Sequence, residues 1–101
     1  MKNIVTIDEN AFANCQKLSS ATIYGNVSCI GNLAFSDCIN LVNLSICNGV
    51  QEIGPSAFNG CSSLMDVSIP STVVSVGEYV FTACDGISNV TFIGKTTSEI
   101  Q

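Results

Sequence analysis

A solenoid of stacked, equivalent coils is the fold that this sequence predicts, on three observations. Phe12, Phe35, Phe58 and Phe81 lie 23 residues apart. Cysteines keep the same step at Cys15, Cys38, Cys61 and Cys84. The smaller apolar residues follow in phase: Leu18, Leu41, Leu64 and Ile87; Ala21, Leu44, Val67 and Val90; Ile23, Ile46, Ile69 and Phe92. Two further columns hold Ile4, Val27, Val50 and Val73, then Ile7, Ile30, Ile53 and Val76. Chance does not keep so many columns in register, so each copy is one coil that buries its apolar face by stacking on the next. The copies span 4–26, 27–49, 50–72 and 73–95, with an irregular tail over 96–101; the whole of 1–101 is read as a single array.

Each element of a coil has its own signal. A Val/Ile-x-x-Ile/Val pair comes first, followed by the column Gly31, Gly54 and Gly77, with Asp8 in the first copy. Glycine at this column predicts a corner that needs unusual dihedrals or close approach of backbone. The next segment, Ala57-Phe58-Asn59-Gly60-Cys61 in copy three, is too short for a stable α-helix and predicts one 3₁₀-like turn on the outer side. In Leu41-Val42-Asn43-Leu44-Ser45-Ile46 the spacing is L-x-x-L-x-L-like, and its end alternates. Leu44 and Ile46 face one way, Asn43 and Ser45 the other, which predicts a short strand with one buried face. Gly25-Asn26, Asn48-Gly49, Pro70-Ser71-Thr72 and Gly94-Lys95 supply the turns that follow. A 23-residue step falls inside the roughly 20–29-residue range of leucine-rich repeats. The expected fold is therefore a right-handed leucine-rich repeat solenoid of four coils. A parallel sheet forms one side, its strands about 4.8 Å apart, and short 3₁₀ or turn segments the other.

Composition narrows the functions. The 101 residues are 47% hydrophobic and 11% charged, with a net charge of -5. That balance offers no cationic surface for nucleic acid or anionic lipid. No apolar run approaches the roughly 20 residues that span a bilayer, and Met1-Lys2-Asn3 leads straight into the patterned sequence with no signal segment. Histidine is absent, which removes the commonest general base and metal ligand. The eight acids scatter over several columns rather than pairing, and no glycine-rich phosphate loop follows a strand. No catalytic set, cofactor site or metal site is expected. The sequons at Asn26, Asn43 and Asn89 are read mainly as by-products of the strand pattern.

The run I-G-x-x-A-F-x-x-C-x-x-L-x-x-V-x-I-P over 53–70 resembles the treponemal-type, or BspA-like, leucine-rich repeats, and the resemblance extends over about residues 4–95. It implies a slender, curved solenoid without long helices. It further implies display on a microbial cell surface or secretion, and several arrays of this kind bind host matrix proteins or other cells. On that basis the chain is expected to be an interaction or adhesion module for a protein or glycan. The second reading is a structural spacer or oligomerising segment of a larger surface or fibre protein. The departures are Asp8 for glycine, Val80-Phe81 for Ala-Phe, and a proline after the strand in copy three alone. The resemblance carries over no catalytic residue.

Four of the six cysteines share one column, where a small apolar group fits a core. Reduced, buried thiols are expected there, with disulfides between adjacent coils as the alternative. Four sulfurs in a line at strand spacing would extend about 14 Å, too far for one tetrahedral zinc ion. Cys29 and Cys47 occupy variable columns and are expected to be partly exposed.

A binding surface, if present, should lie on the outward face of the strands. Its first column reads Ser20, Asn43, Asp66 and Asn89; its second reads Thr22, Ser45, Ser68 and Thr91. A third reads Tyr24, Cys47, Pro70 and Ile93, with Tyr24 the candidate anchor. Small hydroxyls predict a shallow, polar face suited to a broad partner rather than a metabolite. Ile4, Ile7, Phe12 and Ile23 are expected to leave an apolar end exposed, so that the chain is either a piece of a longer array or self-associates through its uncapped N-terminal coil.

Overall fold

The structure, a computed structural model, describes residues 5–87 and 89–92, with the backbone alone for Asn89 and Phe92. Ile4, Ile93 and the tail over 96–101 lie outside the described residues. Eight strands alternate in length along the chain: β1 (Thr6–Ile7), β2 (Ser20–Ile23), β3 (Cys29–Ile30), β4 (Asn43–Ile46), β5 (Glu52–Ile53), β6 (Asp66–Ile69), β7 (Ser75–Val76) and β8 (Asn89–Phe92). The four-residue strands form one parallel sheet in the order β2-β4-β6-β8. Every pairing joins residues 23 apart, as in Ser20 with Asn43 and Asn43 with Asp66. Identical columns therefore lie side by side, which is what stacking equal coils demands.

A second parallel sheet, β1-β3-β5-β7, was not legible in the sequence. Its strands are two residues long and come from the Val/Ile-x-x-Ile/Val pairs, too short for alternation to show. The glycine that follows continues each ladder: the Gly54 amide donates to the Ile30 carbonyl at 2.7 Å. Among the left-handed residues Gly31, Gly54 and Gly77 do not figure, so close approach, and not unusual dihedrals, is why this column holds glycine.

The third side of each coil takes the turn form of the expected 3₁₀ or turn segments; no 3₁₀ segment occurs among the described residues. Alternate amides bond within the coil and between coils. Ala34, Ser36 and Cys38 donate to carbonyls three residues back, while Leu33, Phe35 and Asp37 donate to Pro55, Ala57 and Asn59 of the next coil. Two left-handed columns make the alternation work, with φ of 59° at Leu33, 57° at Ser56 and 62° at Tyr79 in one, and 63° at Asn14 and 57° at Asp37 in the other. The gain is a backbone hydrogen-bonded to its neighbour on every side.

Between these three sides lies the core. Phe12, Phe35, Phe58 and Phe81 stack in a column with centroids 5.1, 5.2 and 5.9 Å apart and nearly parallel rings. Phe35 and Phe58 are buried, Phe81 is half-buried, and Phe12 is 44% exposed. Beside them Cys38, Cys61 and Cys84 each direct a thiol at the carbonyl of Phe12, Phe35 and Phe58 respectively, all at 3.1 Å. This contact explains why a weak donor suits the column better than alanine or valine.

Candidate functional site

The long strands present one face to the core and the other to solvent. Leu44, Ile46, Val67 and Ile69 are buried, whereas Ser20, Thr22, Asn43, Ser45, Asp66 and Thr91 are exposed and Ser68 is half-buried. Strand alternation and the 23-residue register together set two straight polar rows across the sheet, Ser20-Asn43-Asp66-Asn89 and Thr22-Ser45-Ser68-Thr91. The backbone of Asn89 closes the first row; its side chain is outside the described residues. Asn43, Ser45, Asp66, Ser68 and Thr91 come together around a shallow hollow of about 210 Å³, floored by Leu44 and Val67. Five of the nine residues singled out from the sequence thus share one depression.

The third expected row is not a row. Tyr24 projects at 66% exposure, Cys47 is half-buried, and Pro70 is buried rather than outward. These residues follow the strands and open turns: the Val27 amide donates to the Tyr24 carbonyl and the Val73 amide to the Pro70 carbonyl. Alternation no longer governs direction once the chain has left the strand. Thr72 locks the turn after Pro70, its Oγ1 donating to the Val50 carbonyl at 2.8 Å and accepting from the Gly49 amide at 3.0 Å.

The cysteines are arranged for packing. All six are free; Cys38 and Cys61 are buried and the other four half-buried, including Cys29 and Cys47. Burial pushes the Cys61 thiol up to about 12. It raises Cys38 and Cys84 in the same sense, and Cys29, where the Glu52 carboxylate adds to the effect. Thiols held protonated in this way are poor nucleophiles at neutral pH. Among the described residues no group of three or more Cys, Asp or Glu side chains could hold a metal ion. No helix among them is long and apolar enough to cross a membrane.

The N-terminal end carries a second depression that the sequence anticipated in part. Ile7, Phe12, Leu18, Ala21, Ile23 and Val27 border an apolar cavity of about 320 Å³. Ile23, expected to be exposed, is 3% exposed: it packs in the core as the inward residue at the end of β2. Leu18, Ala21 and Val27, half-buried, replace it at the surface.

The sequence matches the family model for the BspA type leucine rich repeat region (6 copies) over residues 1–101. Among curated proteins no sequence matches this chain. Two solved structures share the fold. One is a leucine rich cell surface protein from Faecalibacterium prausnitzii A2-165, at TM-score 0.64 and 25% identity, covering 94% of this chain and 31% of the other. The second is the T. pallidum leucine rich repeat protein, at TM-score 0.63 and 26% identity, covering 85% and 51% respectively. This chain thus spans about a third of the length of the first protein and about half of the second.

Proposed function

The chain belongs to the BspA-type leucine-rich repeat family, and on that premise we propose that it is an interaction module of a microbial surface or secreted protein. Its contact surface is the outward face of β2, β4, β6 and β8, and its partner is a protein or glycan. The observation that carries this reading is the shallow hollow bordered by Asn43, Ser45, Asp66, Ser68 and Thr91. It offers hydroxyl, amide and carboxylate groups in rows at strand spacing, on a scaffold that cannot collapse to satisfy them internally. Tyr24, exposed beside this face, supplies an aromatic anchor. A surface so open grips a broad partner and not a small metabolite, which needs enclosure. The cell-surface protein of F. prausnitzii supports the location.

A binding screen against matrix proteins and glycans tests this proposal. Asp66→Lys and Tyr24→Ala should each weaken capture at least about tenfold while the melting temperature stays within about two degrees. A chain that captures nothing across the panel, or whose binding ignores both substitutions, favours the spacer reading instead.

A further inference from the structure

The glycine column marks where coils come closest. A Cβ on Gly31 would lie 2.5 Å from the Ile7 carbonyl oxygen, one on Gly54 2.8 Å from the Asn32 nitrogen, and one on Gly77 2.4 Å from the Pro55 nitrogen. In each case the obstacle is backbone of the preceding coil, which cannot swing aside as a side chain can. The approach is close because the glycine amide itself bonds to that coil: Gly31 to Ile7 at 2.8 Å, Gly77 to Ile53 at 2.8 Å. This step of the ladder has no room for a Cβ.

Coil 1 nevertheless carries Asp8 there, exposed. Around it lies one half of a coil–coil interface: Phe12 at 44% exposure and the apolar cavity bordered by Ile7, Leu18 and Ala21. The other half is carried by coil 4, where Val76, Phe81, Cys84 and Ile87 are half-buried. By apolarity alone a second copy would add head to tail, setting Phe12 on Phe81. Such a contact does not close on itself and would run on as a fibre.

We propose that Asp8 is the stop that prevents this addition. In the register that the array uses throughout, the atoms facing residue 8 would be the Val76 carbonyl oxygen and the Gly77 backbone of the second copy. The Asp8 Cβ fills the space they need, and its carboxylate would lose water on contact. The same register sets Glu9 beside Glu78, like charges about 4.8 Å apart. The N-terminal face is thus apolar yet closed to a coil of this chain's own kind.

Sedimentation velocity over a concentration series tests the assignment with two double variants that differ by one Cβ. Asp8→Gly with Glu9→Asn should associate increasingly as concentration rises, and adding Phe12→Lys should abolish the effect. Asp8→Ala with Glu9→Asn should sediment as the wild-type chain does. Equal behaviour of the two pairs, whether both associate or neither does, overturns the proposal. Gly31→Ala places the same clash inside one chain and needs no association. Its melting temperature should fall by more than about 5 °C, while Asp8→Ala stays within about one degree. A Gly31→Ala melt like that of the wild type also overturns it.

Discussion

Coil 3 and coil 1 carry the same or similar apolar residues in the core columns and live in different surroundings. Phe58 and Phe12 both stack on Phe35, at 5.2 and 5.1 Å, yet Phe58 is 0% exposed and Phe12 44%. Cys61 and Leu64 are fully buried, whereas their equivalents Cys15 and Leu18 are half-buried. The difference teaches that an apolar column specifies only half of an interface. It says which way a side chain faces; the neighbouring coil decides whether that side chain is dry.

Truncating the two ring positions should separate the coils most. Phe58→Ala should cost about 3–5 kcal/mol by denaturant unfolding, a large part of the stability of so small an array. Phe12→Ala should cost about 1–2 kcal/mol, since much of its ring is already in water. Equal losses would break the comparison and show that the end coil is as well covered as the middle one.

The thiols give a smaller contrast of the same kind. Cys61→Ala removes a buried sulfur and its hydrogen bond to the Phe35 carbonyl and should cost about 1–2 kcal/mol. Cys15→Ala, at the half-buried end, should stay within about 0.5 kcal/mol. Alkylation under native conditions should leave Cys38 and Cys61 unlabelled while it modifies the half-buried Cys47. Rapid labelling of Cys61 would mean that the stack opens readily.

The same burial sets a pH dependence whose sign follows from linkage. In the unfolded chain a thiol titrates near its ordinary 9.0, but Cys61 in the fold does so at about 12. Between those values the unfolded state holds fewer protons, so stability falls as pH rises; below about 9 the contribution is fully present. Denaturation midpoints at pH 8, 10 and 11 should decline, and Cys61→Ala should decline less steeply. A variant with the wild-type slope would show that the buried thiol is not the cause.

The smallest expected effect sharpens the comparison on the turn side. Tyr79 sits at φ 62° and is largely exposed, in a column where coil 1 has Asn10 at φ 60°. Tyr79→Asn should raise stability by about 0.5–1 kcal/mol, because asparagine tolerates the left-handed region and tyrosine does not. No gain would mean that the tyrosine ring offsets the strain through contacts of its own.

The sequence by itself determined the coil length, the long strands, the parallel register and the two polar rows of the candidate face. All of these follow from a 23-residue period and a two-residue alternation, which are properties of order along the chain and survive any stacking. What only the tertiary structure decided were the contacts at which one coil meets another. The left-handed turns at Leu33, Tyr79 and Ala83 carry no sequence signal, because inter-coil hydrogen bonds impose them against local preference. Asn10, Asn14, Asp37 and Gly60 in the same columns were the available hint. Pro70 turned inward, and the short strands β1, β3, β5 and β7 formed a sheet, for a related reason. Two residues cannot show a period, and a turn has none, so at those places the neighbouring coil sets the conformation.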